Sequence, residues 1–160
     1  MNWDAIGAIA ELAGAVGVVA SLLYLGTQIR HSTKASSVEA KLTTTGMHSS
    51  VVDLLIADPA LNELFMRGVA STDGFTPEEY QRFSNLCLKT FWFFSAAHYQ
   101  LRTGMLDEDN WFETKSLLEF ELSGAGVRGW WRRLGSKRFS GKFAEFVDSE
   151  IIAIESRGDT

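Results

Sequence analysis

Apolar residues fall along this chain in three patterns, and each predicts a helix of a different kind. The first is a near-continuous run over residues 3–29, interrupted only by Asp4 and Glu11. Within it, residues 12–29 carry no charge at all. Those 18 residues make roughly 27 Å of helix, close to the hydrocarbon thickness of a bilayer. The run therefore predicts a transmembrane helix. Its two sides differ. Gly7, Ala10, Gly14, Gly17, Ser21 and Gln28 share one arc, whereas Ile9, Leu12, Val16, Val19 and Leu23 share another. Small residues let helix backbones approach closely, so the first arc is the predicted oligomer face and the second is lipid-facing.

The second pattern is a 3-4 spacing that outlasts the apolar run. It continues from Gln28 through His31, Ala35, Val38, Leu42, Thr45, Ser49, Val52 and Ile56. A sustained period of this kind predicts one long helix to about residue 57, packed along a seam. Thr43, Thr44, Thr45 and Gly46 have low helix propensity and mark where that helix would break, if it breaks.

The third pattern is a set of shorter segments with clear boundaries. Asp58-Pro59 reads as an N-cap followed by proline at the first helical position. Thr76-Pro77-Glu78-Glu79 carries a capping box and opens a helix that should end near Thr103, at Gly104. This helix contains Phe91-Trp92-Phe93-Phe94, apolar on every side, and is the expected centre of the domain. Asp107 caps a helix to about Leu122, with Trp111, Leu117, Leu118 and Phe120 at its apolar positions. Gly124 and Gly126 mark a turn before Trp130-Trp131, and Ser140 opens a last helix with Phe143, Phe146, Val147 and Ile151. The predicted fold class is all-α. It has a transmembrane helix (3–29), a juxtamembrane helix (30–57) and a cytoplasmic helical bundle (58–156).

Charge gives this arrangement a direction. The net charge is −5, yet all 15 lysines and arginines lie at residue 30 or later. Arg30, Lys34 and Lys41 closely follow the apolar run, which places the N-terminus outside and the larger part in the cytoplasm of a bacterial inner membrane. The run lacks the basic n-region of a cleaved signal and is too long for one. Glu11 is the exception within it. At headgroup depth it needs no partner; deeper, in an oligomer, a ring of Glu11 side chains with Gln28 would line a cation or proton path.

Little catalytic chemistry is visible. One cysteine, Cys87, and three scattered histidines supply no metal-binding spacing, and His98 has no acid within a helical turn. No phosphate loop, nucleophile elbow or dinucleotide fingerprint occurs. The expectation is a non-enzymatic protein without a cofactor. One cluster suits a different role: Arg128, Trp130, Trp131, Arg132, Arg133, Lys137 and Arg138 occupy a stretch free of acids. It would meet anionic lipid headgroups if the tryptophans face outward. If they pack inward, the basic groups should pair with acids elsewhere, such as Asp107, Glu108 and Asp109.

The opening pattern from Trp3 to Ala15, the stretch from Ser21 to Arg30, Gly104-Met105-Leu106-Asp107, Trp130-Trp131, and Phe139-Ser140 followed by Phe146-Val147-Asp148 together resemble an uncharacterised family of small bacterial membrane proteins. That resemblance implies a single-pass protein with a cytoplasmic helical domain and brings no activity. The expected function is a scaffold or accessory subunit that self-associates through its membrane helix. Its expected partners are lipid, copies of itself and a larger membrane complex, but not nucleic acid. The alternative is an oligomeric ion-conducting pore.

Overall fold

The computed structural model describes the backbone of residues 3–139 and 141–158. It describes their side chains except at 3–10, 12–13, 30–37, 40, 44 and 158. Among these residues the fold is all-α, without a strand. Six α-helices occur in order: α1 (Trp3–Ala57), α2 (Pro59–Ala70), α3 (Pro77–Arg102), α4 (Glu108–Leu122), α5 (Ala125–Arg133) and α6 (Gly141–Gly158). A 3-10 turn, Gly135–Lys137, separates α5 from α6. The chain divides into two compact units, Met1–Glu39 and Ala40–Thr160, and α1 contributes to both. Helix α1 passes through Thr43, Thr45 and Gly46 without a break.

In the first unit the side chains of residues 14–29 are exposed, Gly26 alone being half-buried. Large apolar groups are among them, Leu23 being 68% exposed. Among the described residues no helix is long and apolar enough to cross a membrane. The described apolar side chains, residues 14–29, span roughly 24 Å of helix, short of the ~30 Å core of a bilayer.

The second unit is built around α3. Phe83, Leu86, Cys87, Phe91, Phe94 and Ala97 recur at three- and four-residue intervals and are buried. Helices α2, α4, α5 and α6 pack against that arc. The run Phe91-Trp92-Phe93-Phe94 is not apolar-packed on every side, because Trp92 is 54% exposed while its three neighbours are buried. Phe120 also departs from expectation. It lies on the outer face of α4 at 70% exposure, while Leu118 and Leu122 take the core positions.

The helix boundaries follow local chemistry. Asp58 accepts from the backbone N–H groups of Ala60 and Leu61, and Pro59 follows. Thr76 accepts from the N–H of Glu79 at 3.2 Å, and the Glu79 carboxylate accepts in return from the N–H of Thr76 at 2.9 Å. Those bonds, together with Arg67 at 2.7 Å, hold the Glu79 carboxyl down at about 2. Helix α3 ends where Gly104 takes a φ of +71°. There the N–H of Met105 reaches Gln100 O and that of Gly104 reaches Leu101 O, which satisfies the last carbonyls of the helix. Asp107 accepts from Asn110 N–H at 2.8 Å and opens α4. Ser140 lies outside the described residues. Thr76→Ala should destabilise the bundle by about 1 kcal/mol, as read by urea unfolding. An unchanged midpoint would mean that the cap contributes nothing.

Gly126 sets the α2–α5 crossing, and Gly68 the close packing of α2 on α3. A Cβ on Gly126 would run into the carbonyl oxygen of Gly68, and a Cβ on Gly68 would run into the Phe83 ring. The backbones thus meet with no side chain between them.

Candidate functional site

Three places in the molecule hold chemistry that packing alone does not use: helix α1, the basic segment around α5, and the crossing of α1, α3 and α4.

On α1, the predicted oligomer face is partly visible. Gly14, Gly17, Ser21 and Gln28 are exposed, whereas the side chains of Gly7 and Ala10 lie outside the described residues. A Cβ built on Gly14 or Gly17 would meet no neighbour within 4 Å, so these positions are open to a partner. The Ser21 hydroxyl donates to Gly17 O at 2.8 Å and is satisfied within the helix. Glu11 is exposed. Further along, the bundle packs on a different stripe from the predicted seam. Val51 is buried and Met47, His48 and Leu55 are half-buried, while Leu42, Thr45, Ser49, Val52 and Ile56 remain exposed, Ile56 at 74%. Among the described seam residues of the second unit, Leu42, Ser49, Val52 and Ile56 therefore stay outside the packing of α1 on the bundle.

The basic segment corrects the lipid-contact expectation for its tryptophans. Trp130 and Trp131 are buried core residues, Trp131 completely so. Each indole finds an acceptor: Trp130 donates to Ser84 Oγ and Trp131 to Asp148 Oδ1, both at 2.8 Å. The Phe91 ring stacks on Trp131 with centroids 5.1 Å apart. The reason is the amphipathic indole, which buries well once its N–H is paired. The arginines beside them are used structurally. Arg128 donates to the carbonyls of Leu122 and Ser123 at 2.7 Å, capping the C-terminus of α4, and also faces Glu155. Arg132 pairs with Glu155 at 2.7 Å, and the Arg133 guanidinium lies 5.3 Å over the Tyr80 ring. The partner acid is thus Glu155 of α6. Asp107 is instead occupied as the α4 cap. Lys137 and Arg138 are exposed.

At the third place, cavities lie beside α1. One, of about 430 Å³, is lined by Met47, Ser50, Leu88, Lys89 and Trp92, with the Lys89 ammonium 3.4 Å from Ser50 O. Another, of about 170 Å³, is lined by His48 of α1, Phe93 of α3, Asn110, Thr114 and Leu117 of α4, and Leu106 in the turn between α3 and α4. The His48 ring lies 5.0 Å from that of Phe93, and its Nδ1 is buried without a hydrogen-bond partner. His48 was not distinguished from the other histidines by sequence, because its neighbours come from α3 and α4.

His98 is a core residue, 9% exposed, and its ring stacks on Phe146 at 4.9 Å. Burial, with Arg102 nearby, lowers its pKa and keeps the ring neutral. Glu121 is more unusual. Its Oε2 is fully enclosed and accepts from nothing. Burial raises its pKa from the ordinary value of 4.5 to about 8. The same burial, reinforced by the nearby Glu121 carboxylate, pushes the Cys87 thiol up. Sequence hinted at Glu121 only through its place in the Leu118–Leu122 register. Among the described residues, no group of three or more His, Cys, Asp or Glu is arranged to hold a metal ion.

No family model matches the chain, and neither curated proteins nor solved structures yield a match.

Proposed function

We propose that this protein is a membrane-anchored scaffold in which residues 12–29 of α1 insert into lipid and copies associate along the seam that starts at Gly7. The observation that carries this reading is the exposure of residues 14–29. An uncharged helix that presents Val16, Val19, Leu22 and Leu23 outward, with no internal partner, needs lipid or protein to cover it. Its length supports lipid, since the whole uncharged run of 18 residues reaches roughly 27 Å. The charge asymmetry supports an orientation with the bundle in the cytoplasm of a bacterial cell, because no basic residue precedes Arg30. Self-association draws support from the open flanks of Gly14 and Gly17 and from the exposed apolar residues Leu42, Val52 and Ile56 in the same register. The helical bundle of the second unit would supply the platform for an accessory role.

Membrane fractionation tests the anchor. The wild-type chain should stay in the membrane pellet after alkaline carbonate washing and be released by detergent. A Val19→Lys/Leu23→Lys double variant should move to the soluble fraction, since each lysine at mid-helix costs about 2.5–3.5 kcal/mol of insertion. Release of the wild type by carbonate alone would remove the anchor from the account. For self-association, Gly17→Leu should lower the particle mass seen by light scattering in detergent. An unchanged mass would place the contact elsewhere.

A further inference from the structure

Among the described residues of the second unit, the exposed aromatic side chains lie on two helix faces. Trp92 and Tyr99 stand on the outer face of α3, and Phe112 and Phe120 on the outer face of α4, Phe112 at 72% exposure. Large apolar groups gathered in this way mark contact surfaces. The α3 face is hollowed. The space of about 430 Å³ between Leu88 and Met47 of α1 is followed by a second, of about 320 Å³, lined by Met47, Ala96 and Tyr99. Trp92 lines both and is braced edge-on by Phe139, with ring centroids 5.5 Å apart. The α4 face is a ridge. Phe112, Ser116 and Phe120 follow at four-residue intervals, so two large groups flank a small one.

Hollows and ridge match in spacing and in charge. The lining that α3 supplies centres near Leu88 in one hollow and near Ala96 in the other. That step equals the step from Phe112 to Phe120, roughly 12 Å of helix in each case. Lys89 edges one hollow and Arg102 the other, with no acid among the described residues that line them. Asp109 and Glu113 are exposed beside Phe112 on the ridge. The ridge cannot turn onto the groove of its own chain, because Leu118 and Leu122 hold the opposite face of α4 in the core. We propose that the outer face of α4 docks across the α1–α3 groove of a second copy of this chain, Phe112 and Phe120 entering the two hollows while Ser116 passes over Trp92. A helix laid in a groove through anchors on successive turns is a recurrent mode of recognition. The contact uses only residues of the second unit, so it is separate from the Gly7–Gln28 face and independent of the membrane reading.

Cross-linking of full-length chains in detergent tests it. A size-tagged Asn85→Cys chain mixed with an untagged Ser116→Cys chain should give a heterodimer with a flexible bismaleimide, because Asn85 edges the first hollow and Ser116 crosses close to it. Adding Phe112→Ser/Phe120→Ser to the second chain should lower the yield about tenfold. Both side chains are exposed, so the melting temperature should not fall. Lys89→Glu/Arg102→Glu on the first chain should lower the yield as well, and Asp109→Lys/Glu113→Lys on the second should restore it. Gly17→Leu on both should leave the yield unchanged, which separates this contact from the one along α1. No heterodimer, as when lipid or another protein covers these faces instead, would overturn the proposal. So would a yield indifferent to the two phenylalanines, reversed charges that do not restore it, or loss of the product in Gly17→Leu.

Discussion

Replacing Glu121 by glutamine should make the bundle more stable, and the gain should grow as pH rises. The carboxyl has a pKa near 8 when folded, against an ordinary 4.5 that stands for the unfolded chain. Between those values the folded state binds the proton more tightly, so wild-type stability falls as pH climbs from about 4.5 through about 8. The full penalty is on the order of 3–5 kcal/mol, from about 1.4 kcal/mol per pH unit. Glutamine keeps the shape and cannot ionise. Glu121→Gln should therefore match wild type near pH 5 and melt of order 10 °C higher near pH 9. Glu121→Met should gain at both pH values, because it also removes the unsatisfied Oε2. Melting curves across this range decide the matter. Parallel profiles for wild type and Glu121→Gln would mean that the carboxyl reaches water.

Gly126→Ala should cost the bundle about 3 kcal/mol, the upper end of overpacking penalties, because the obstacle is backbone rather than a movable side chain. The added methyl meets the carbonyl oxygen of Gly68, and the Phe83 ring packs closely on that same glycine. Gly129 provides a control within the same helix. A Cβ there meets no atom within 4 Å, so Gly129→Ala should stabilise by about 0.5–1 kcal/mol through helix propensity alone. Urea midpoints that move in opposite directions for the two substitutions are expected. Equal shifts would show that α2 and α5 do not meet backbone to backbone.

The helix starts were legible in sequence because they depend on neighbours within three residues. Asp58-Pro59, Thr76-Pro77 with Glu79, and Asp107 each cap the helix that they were expected to open. Gly104 ends α3 for an equally local reason, its left-handed φ. What was not legible depends on which face meets which. Trp92 and Phe120 lie on the outer faces of α3 and α4, opposite the buried arcs, and it was their apolar character rather than their register that marked them for the core. Trp130 and Trp131 lie among arginines in sequence, yet Ser84 and Asp148, supplied by α3 and α6, make their burial favourable. Gly68 left a trace, a glycine inside a helical pattern, whereas Gly126, expected to mark a turn, lies within α5, and the approach of the two is a property of the crossing. His48 left none, since the ring and the helix that enclose it, Phe93 of α3 and the residues of α4, lie more than forty residues away. Glu121 was masked by Glu119 and Lys115, whose ion pairing on the same helix gives the segment an ordinary charged look.

Anchoring, orientation and self-association through α1 all depend on residues 12–29 lying in lipid. Nitroxide labels on single cysteines placed at positions 16, 19, 23 and 27, in chain reconstituted into vesicles, test that claim directly. Cys87 is buried and its thiol pKa is raised, so it should stay unlabelled. Oxygen should relax labels at 19 and 23 far more than a water-soluble nickel chelate does, with the contrast shrinking toward 27. Labels at 19 and 23 as open to the chelate as one on the exposed Gln81 would contradict it.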